Sequence, residues 1–113
     1  MLFLWSVNLK DGMDKKFQEW TKRNIASLGK YVPPHWKLWG VYGATFGLGS
    51  RDVTMIWEFD KWADLDAMRE YSNDVSNRLD AEFTYFVLPG SSRAMVLREV
   101  AEWIITEPKK PGK

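Results

Sequence analysis

Residues 2–9, Leu-Phe-Leu-Trp-Ser-Val-Asn-Leu, alternate with the two-residue period of a strand. Phe3, Trp5, Val7 and Leu9 share one face, and Leu2, Leu4, Ser6 and Asn8 the other. The period then changes. From Asp11 to about Lys30 an apolar stripe of Met13, Phe17, Trp20, Leu28 and Tyr31 predicts a helix, with Lys15, Lys16, Glu19, Lys22 and Arg23 opposite. Asp11 is the expected N-cap, and Gly29 with Pro33-Pro34 ends the helix. Residues 35–44 and 52–59 read as two further strands joined by a glycine-rich connection, hence a hairpin. In the first of these, strict alternation places His35, Lys37, Trp39 and Val41 on one face and Trp36, Leu38 and Tyr42 on the other. In the second, Val53, Met55, Trp57 and Phe59 oppose Thr54, Ile56 and Glu58.

Asp60 is placed to cap a second helix with Trp62, Leu65 and Met68 on its inner side. The polar run at 72–77 can break or bend it before a second helical pattern, Val75, Leu79, Phe83 and Phe86, which ends at Pro89-Gly90. Residues 92–100 form a fourth strand, and 101–113 an extension whose last seven residues, rich in proline and lysine, are expected to be disordered. The order β-α-β-β-α-β over residues 1–100 describes one α+β domain of ferredoxin-like type. It has a four-stranded antiparallel sheet with helices on one face.

Two helices can cover only one side of such a sheet, and the other side should then be polar. It is not: Leu2 and Leu4 oppose Phe3 and Trp5, and Met95 and Leu97 oppose Ala94, Val96 and Val100. Both faces call for burial. A second copy packed sheet to sheet, about 10 Å away, supplies the missing cover, so a homodimer is expected.

Composition narrows the function. The chain of 113 residues has a net charge of +1, which gives no electrostatic basis for binding nucleic acid or an anionic membrane. There is no cysteine and one histidine, which removes disulfides, thiolate catalysis and cysteine-based metal sites; no metal-ligating cluster is visible along the chain. No apolar run reaches the roughly 20 residues of a membrane-spanning helix, and the start reads as a strand and not a signal peptide, so the expected location is the cytoplasm. The unusual feature is aromatic content, 15%, including seven tryptophans. Such rings fill either a crowded core or the walls of a cavity.

The segment from Trp39 to Glu70 resembles a known pattern. Gly40, Phe46-Gly47, Asp52, Val53, Trp57, Phe59, Leu65 and Arg69 are similar to positions of the NIPSNAP type within the dimeric α/β-barrel superfamily. The resemblance implies a dimer of ferredoxin-like units with a pocket between sheet and helices in each. The superfamily includes cofactor-free monooxygenases of aromatic polyketides, muconolactone-type isomerases, haem-binding enzymes and ligand-sensing domains.

Four residues are candidates for proton transfer or substrate orientation. Asn24 interrupts the apolar stripe of the first helix, His35 is the one side chain with an ordinary pKa near neutrality, Glu58 ends a central strand, and Tyr42 carries a hydroxyl. Each has a structural alternative: a paired buried amide, an exposed strand end, a cross-strand ion pair with Arg98, and packing. Trp5, Trp20, Trp39, Trp57 and Tyr85 are the candidate walls of a ligand site. Three functions follow. The first is binding of a small apolar or aromatic molecule without metal or cofactor, with cofactor-free oxygenation or isomerisation as its catalytic form. The second is a haem protein with His35 as axial ligand, although the resemblance places such a histidine on a helix and no helix here has one. The third is a non-catalytic assembly module.

Overall fold

The computed structural model describes residues 1–46 and 51–103. Its elements are β1 (Leu2–Val7), α1 (Asp14–Lys30), β2 (Lys37–Gly43), β3 (Val53–Glu58), α2 (Ala63–Glu70), α3 (Asp74–Phe86) and β4 (Arg93–Leu97), followed by a short 3-10 turn at Val100–Glu102. The four strands form one antiparallel sheet in the order β2-β3-β1-β4, the order of a ferredoxin-like α+β fold. No helix among the described residues is long and apolar enough to cross a membrane. The end of the extension, beyond residue 103, and residues 47–50 of the glycine-rich connection lie outside the described residues.

The helix-facing side of the sheet is the one the alternation marks on β1 and β3. Val7, Val53 and Met55 are buried there against Phe17, Trp20 and Leu28 of α1 and Leu79, Phe83 and Phe86 of α3. The core is aromatic. Phe17 packs on Phe83 and Phe86 at centroid distances of 5.3 and 5.6 Å, and Trp5 on Phe83 at 5.3 Å. Edge-on and tilted rings of this kind add to the area term of burial.

On β2 strict alternation fails. Leu38 pairs with Trp57 and Gly40 with Ile56, so Trp39 is an extra residue on this strand. Leu38 and Val41 therefore both pack against the core, while Trp39 and Tyr42 point away from the helices. The expectation that Val41 shares a face with Trp39, and Leu38 with Tyr42, is corrected by this bulge. Glycine at position 40 leaves room for the Tyr42 ring beside it: a Cβ there would lie 3.0 Å from the ring's Cζ and Oη.

Helix starts also differ from the pattern. Asp11 sits in a turn, because Gly12 adopts a left-handed φ of 76° and Met13 donates its N–H to Lys10 before α1 begins at Asp14. Asp60 does not cap α2; Asp64, one turn later, reaches back instead. The 72–77 run is a break and not a bend. Asn73 adopts extended backbone, and its Oδ1 accepts the N–H groups of Val75 and Ser76 at 2.8 and 3.4 Å. Among the described residues the helical layer therefore contains three helices. β1 ends at Val7, with Leu9 held by an isolated bridge to Val87, and β4 ends at Leu97.

Leu79, 1% exposed at the centre of this layer, tests the packing. Replacing it with alanine should lower unfolding stability by about 2–5 kcal/mol in urea denaturation, since the cavity cannot collapse among rigid rings.

Candidate functional site

A groove of about 720 Å³ runs between the N-terminal half of α1 and the β2–β3 edge of the sheet. Its apolar wall is Leu9, Phe17, Val41 and Val53, and Lys15, Gln18 and Lys22 project into it from successive turns of α1. The bulge supplies Val41 to this wall. Thr21 Oγ1 is buried at the groove and has no hydrogen-bond partner among the described residues. Two carboxylates also line it. Asp52 Oδ2 accepts the Leu9 N–H at 3.0 Å, which commits that carboxylate to joining β1 and β3, and Asp14 stands in the first turn of α1. The site thus mixes a flat apolar surface with two ammonium groups, two carboxylates, an amide and a hydroxyl.

The four candidates for proton transfer do not converge. Asn24 is half-buried, and its Nδ2 donates to the Trp20 carbonyl one turn back at 2.8 Å, which pairs it within its own helix. Tyr42 borders the groove only at the strand edge; its ring lies on the outer face, with the hydroxyl donating to the Trp39 carbonyl at 3.4 Å. Glu58 is at the other end of the sheet, on the side away from the helices. Its Oε1 accepts the Trp39 indole N–H at 3.2 Å in a hollow that Leu2 and Arg98 also line. The cross-strand pair of Glu58 with Arg98 is not among the ion pairs of the described residues; Arg98 lies 3.9 Å from Glu102.

His35 stands just before β2 with a left-handed φ of 75°, a strained backbone for a residue with a Cβ. Its Nδ1 is 3.1 Å from Asp64 Oδ1. Asp64 is the residue that sequence reasoning missed. It is buried, and its Oδ2 accepts the backbone N–H groups of Asp60 and Lys61 at 3.1 and 2.9 Å, while its carbonyl accepts the Trp36 indole N–H at 2.8 Å. The Lys61 N–H, then the His35 and Asp60 contacts, hold its carboxyl below the ordinary aspartate value, against the opposing effect of burial. Its only signal in the sequence was a carboxylate in the first turn of a helix.

His35, Asp60 and Asp64 bring three ligand-type atoms within 4.8 Å of one another, a grouping invisible along the chain. Both Asp64 oxygens are already accepting hydrogen bonds or facing His35, which is the wiring of a helix anchor that ties the start of β2 to α2.

The candidate aromatic walls separate as well. Trp5 and Trp20 belong to the core, Trp20 being 4% exposed with its indole N–H unpartnered among the described residues. Trp57 joins a second aromatic group in which Trp36 stacks on Phe59 at 5.0 Å. Trp39 is 49% exposed on the outer sheet face, and Tyr85 lies at the surface beneath the Lys10 ammonium.

No family model and no curated protein matches this chain. Solved structures do. An uncharacterised NIPSNAP domain protein from Burkholderia xenovorans superposes with a TM-score of 0.69 at 14% identity, over 93% of this chain and 100% of that one. An uncharacterised NIPSNAP-like domain protein from the same organism gives 0.68 at 12% identity, over 97% and 94%. The protein Atu4242 from Agrobacterium tumefaciens gives 0.64 at 13% identity, over 92% and 100%. The chain therefore has a NIPSNAP-like fold along nearly its whole length.

Asp64 makes a pH-dependent anchor. Its folded pKa is depressed from 3.8, so its carboxylate contributes stability fully above that value and loses the contribution as pH falls through the lower folded value. Asp64→Asn should be less stable than the parent above the ordinary aspartate pKa. The gap should close as both are unfolded at progressively lower pH, followed by urea denaturation at each pH.

Proposed function

We propose that the protein is a homodimeric small-molecule-binding domain that holds an amphipathic aromatic compound in the groove between α1 and β2–β3. The observation that carries this reading is the groove itself. Its volume of about 720 Å³ lies within the range of ligand sites, roughly 300–1,000 Å³. Phe17 and Val41 offer apolar contact, and Lys15, Lys22 and the unpartnered Thr21 hydroxyl offer orienting polar groups. Oxygenation or isomerisation without a cofactor is the catalytic form of this reading. It draws less support, because Asn24 is paired within α1, and His35 and Glu58 stand at the far end of the sheet.

The dimer rests on the outer sheet face. Leu2, Leu4 and Ile56 are half-buried in one chain, and Tyr42, Leu97 and Met95, the last 56% exposed, continue the same surface. The centre of the face is Leu4 with Ile56 and Met95 on either side, while at one end the Ser6 and Thr54 hydroxyls satisfy each other at 2.9 Å beside Arg93, and Glu58 stands at the other end. An apolar sheet face of this extent matches the two-layer packing of a sandwich. This face also favours the second reading, an assembly module with no ligand.

Two measurements test these readings. The amphipathic aromatic anion 1-anilinonaphthalene-8-sulfonate should bind with enhanced fluorescence. Gly43→Phe, where an added Cβ meets only ordinary contact at 3.9 Å, should fill the groove and weaken that binding about tenfold. Unchanged binding in Gly43→Phe would move the weight to the assembly reading. In sedimentation the protein should run at about 26 kDa, twice its 13.2 kDa chain, and Met95→Glu should shift it to monomer by burying a charge between the sheets. A parent protein that sediments as a monomer would remove the dimer.

A further inference from the structure

A second cavity, of about 110 Å³, lies at the opposite end of α1, enclosed by α1, α2, α3 and the inner face of β3. That is room for about four waters, or for one small branched group. Its lining is chemically one-sided. Tyr31, Trp57 and Tyr71 contribute aromatic rings, Met68 a thioether, and Asp80 the one charged group; no lysine, arginine or histidine lines it.

Asp80 is also the one lining residue exposed to solvent, so it stands at the mouth. Its carboxylate makes no ion pair among the described residues; Arg78, two residues back on α3, is turned to Glu82 at 4.0 Å. The helix surfaces around Asp80 remove part of its water and push its pKa up.

We propose that this cavity binds a small alkylated ammonium group, with the rings of Trp57, Tyr31 and Tyr71 as its walls and Asp80 as its counter-ion. An anion would face a carboxylate with no compensating donor. A bare ammonium ion would need to replace a tight hydration shell, which Met68 and Leu79 cannot do. A methylated ammonium carries its charge beneath an apolar surface, and suits both the rings and the aliphatic walls. The inference is independent of the ligand held in the larger groove, because the two spaces share no lining residue.

Tetramethylammonium chloride, compared with tert-butanol at matched ionic strength, is the probe. Binding is read by calorimetry and by the upfield ring-current shift of its methyl protons. The cation should bind at least about tenfold more tightly than the alcohol. Asp80→Asn should weaken it by a similar factor with the circular dichroism unchanged. Tyr71→Phe should retain binding and Tyr71→Leu should weaken it several-fold, since the ring and not the hydroxyl is the contact. Equal binding of the alcohol, an unshifted methyl resonance, or undiminished affinity in both Asp80→Asn and Tyr71→Leu would overturn the proposal.

Discussion

Trp39 occupies an extra position on β2, and the consequences of that one bulge reach most of the molecule. By shifting the pleat, it turns Leu38 and Val41 inward together, so an edge strand contributes two apolar side chains to the core. It also turns Trp39 and Tyr42 outward, where they extend the apolar surface formed by Leu2, Leu4, Ile56 and Met95. Without the shift, Val41 would leave the wall of the groove. Beside the bulge the Tyr42 ring lies over the backbone, where glycine at position 40 leaves it room.

The two ends of β2 are held by different chemistry. Near the hairpin, Asp52 binds the Leu9 N–H and Asn8 binds the Asp52 N–H, so β1 and β3 are stitched by side chain to backbone where the ladder ends. At the other end Asp64 gathers His35, Trp36 and the α2 N-terminus onto one residue. A strained His35 backbone persists there because Pro33-Pro34, the stacked Trp36 and the Asp64 carboxylate fix it from three sides. Strain in this chain serves the junction between strand and helix, and leaves the larger groove bounded by relaxed helix and strand surfaces.

The aromatic content divides into parts with different physical roles. Trp5, Trp20, Phe17, Phe83 and Phe86 form the core, while Trp36, Trp57, Phe59 and Trp62 form a second ring cluster. Trp39 and Tyr42 face outward. The spaces among the described residues lie at the margins of these groups, at either end of α1 and beside Trp39 and Glu58 on the outer face, and not inside a single tryptophan-lined cage. Packing density accounts for this: rings that touch edge to face leave no room between them.

The α+β class, the four strands, the inward faces of β1 and β3, and the apolar character of both sheet faces were legible in the order of residues, because strand and helix periods are local and persist through these segments. The NIPSNAP-like fold that the resemblance over Trp39 to Glu70 implied is the one this chain shares with solved structures. The bulge was not, since an extra residue on one strand is defined only by what pairs with it across the sheet. Nor was the division of α2 from α3 decided by its polar run, which needed the Asn73 side chain to turn back on its own backbone. The Asp64 junction joins residues 29 positions apart, and the groove joins α1 to a hairpin, so neither leaves a mark on any one stretch of chain. Local periodicity determined the elements and their buried sides; tertiary structure decided which polar groups met, because hydrogen bonds between distant segments exist only once the apolar faces have been brought together.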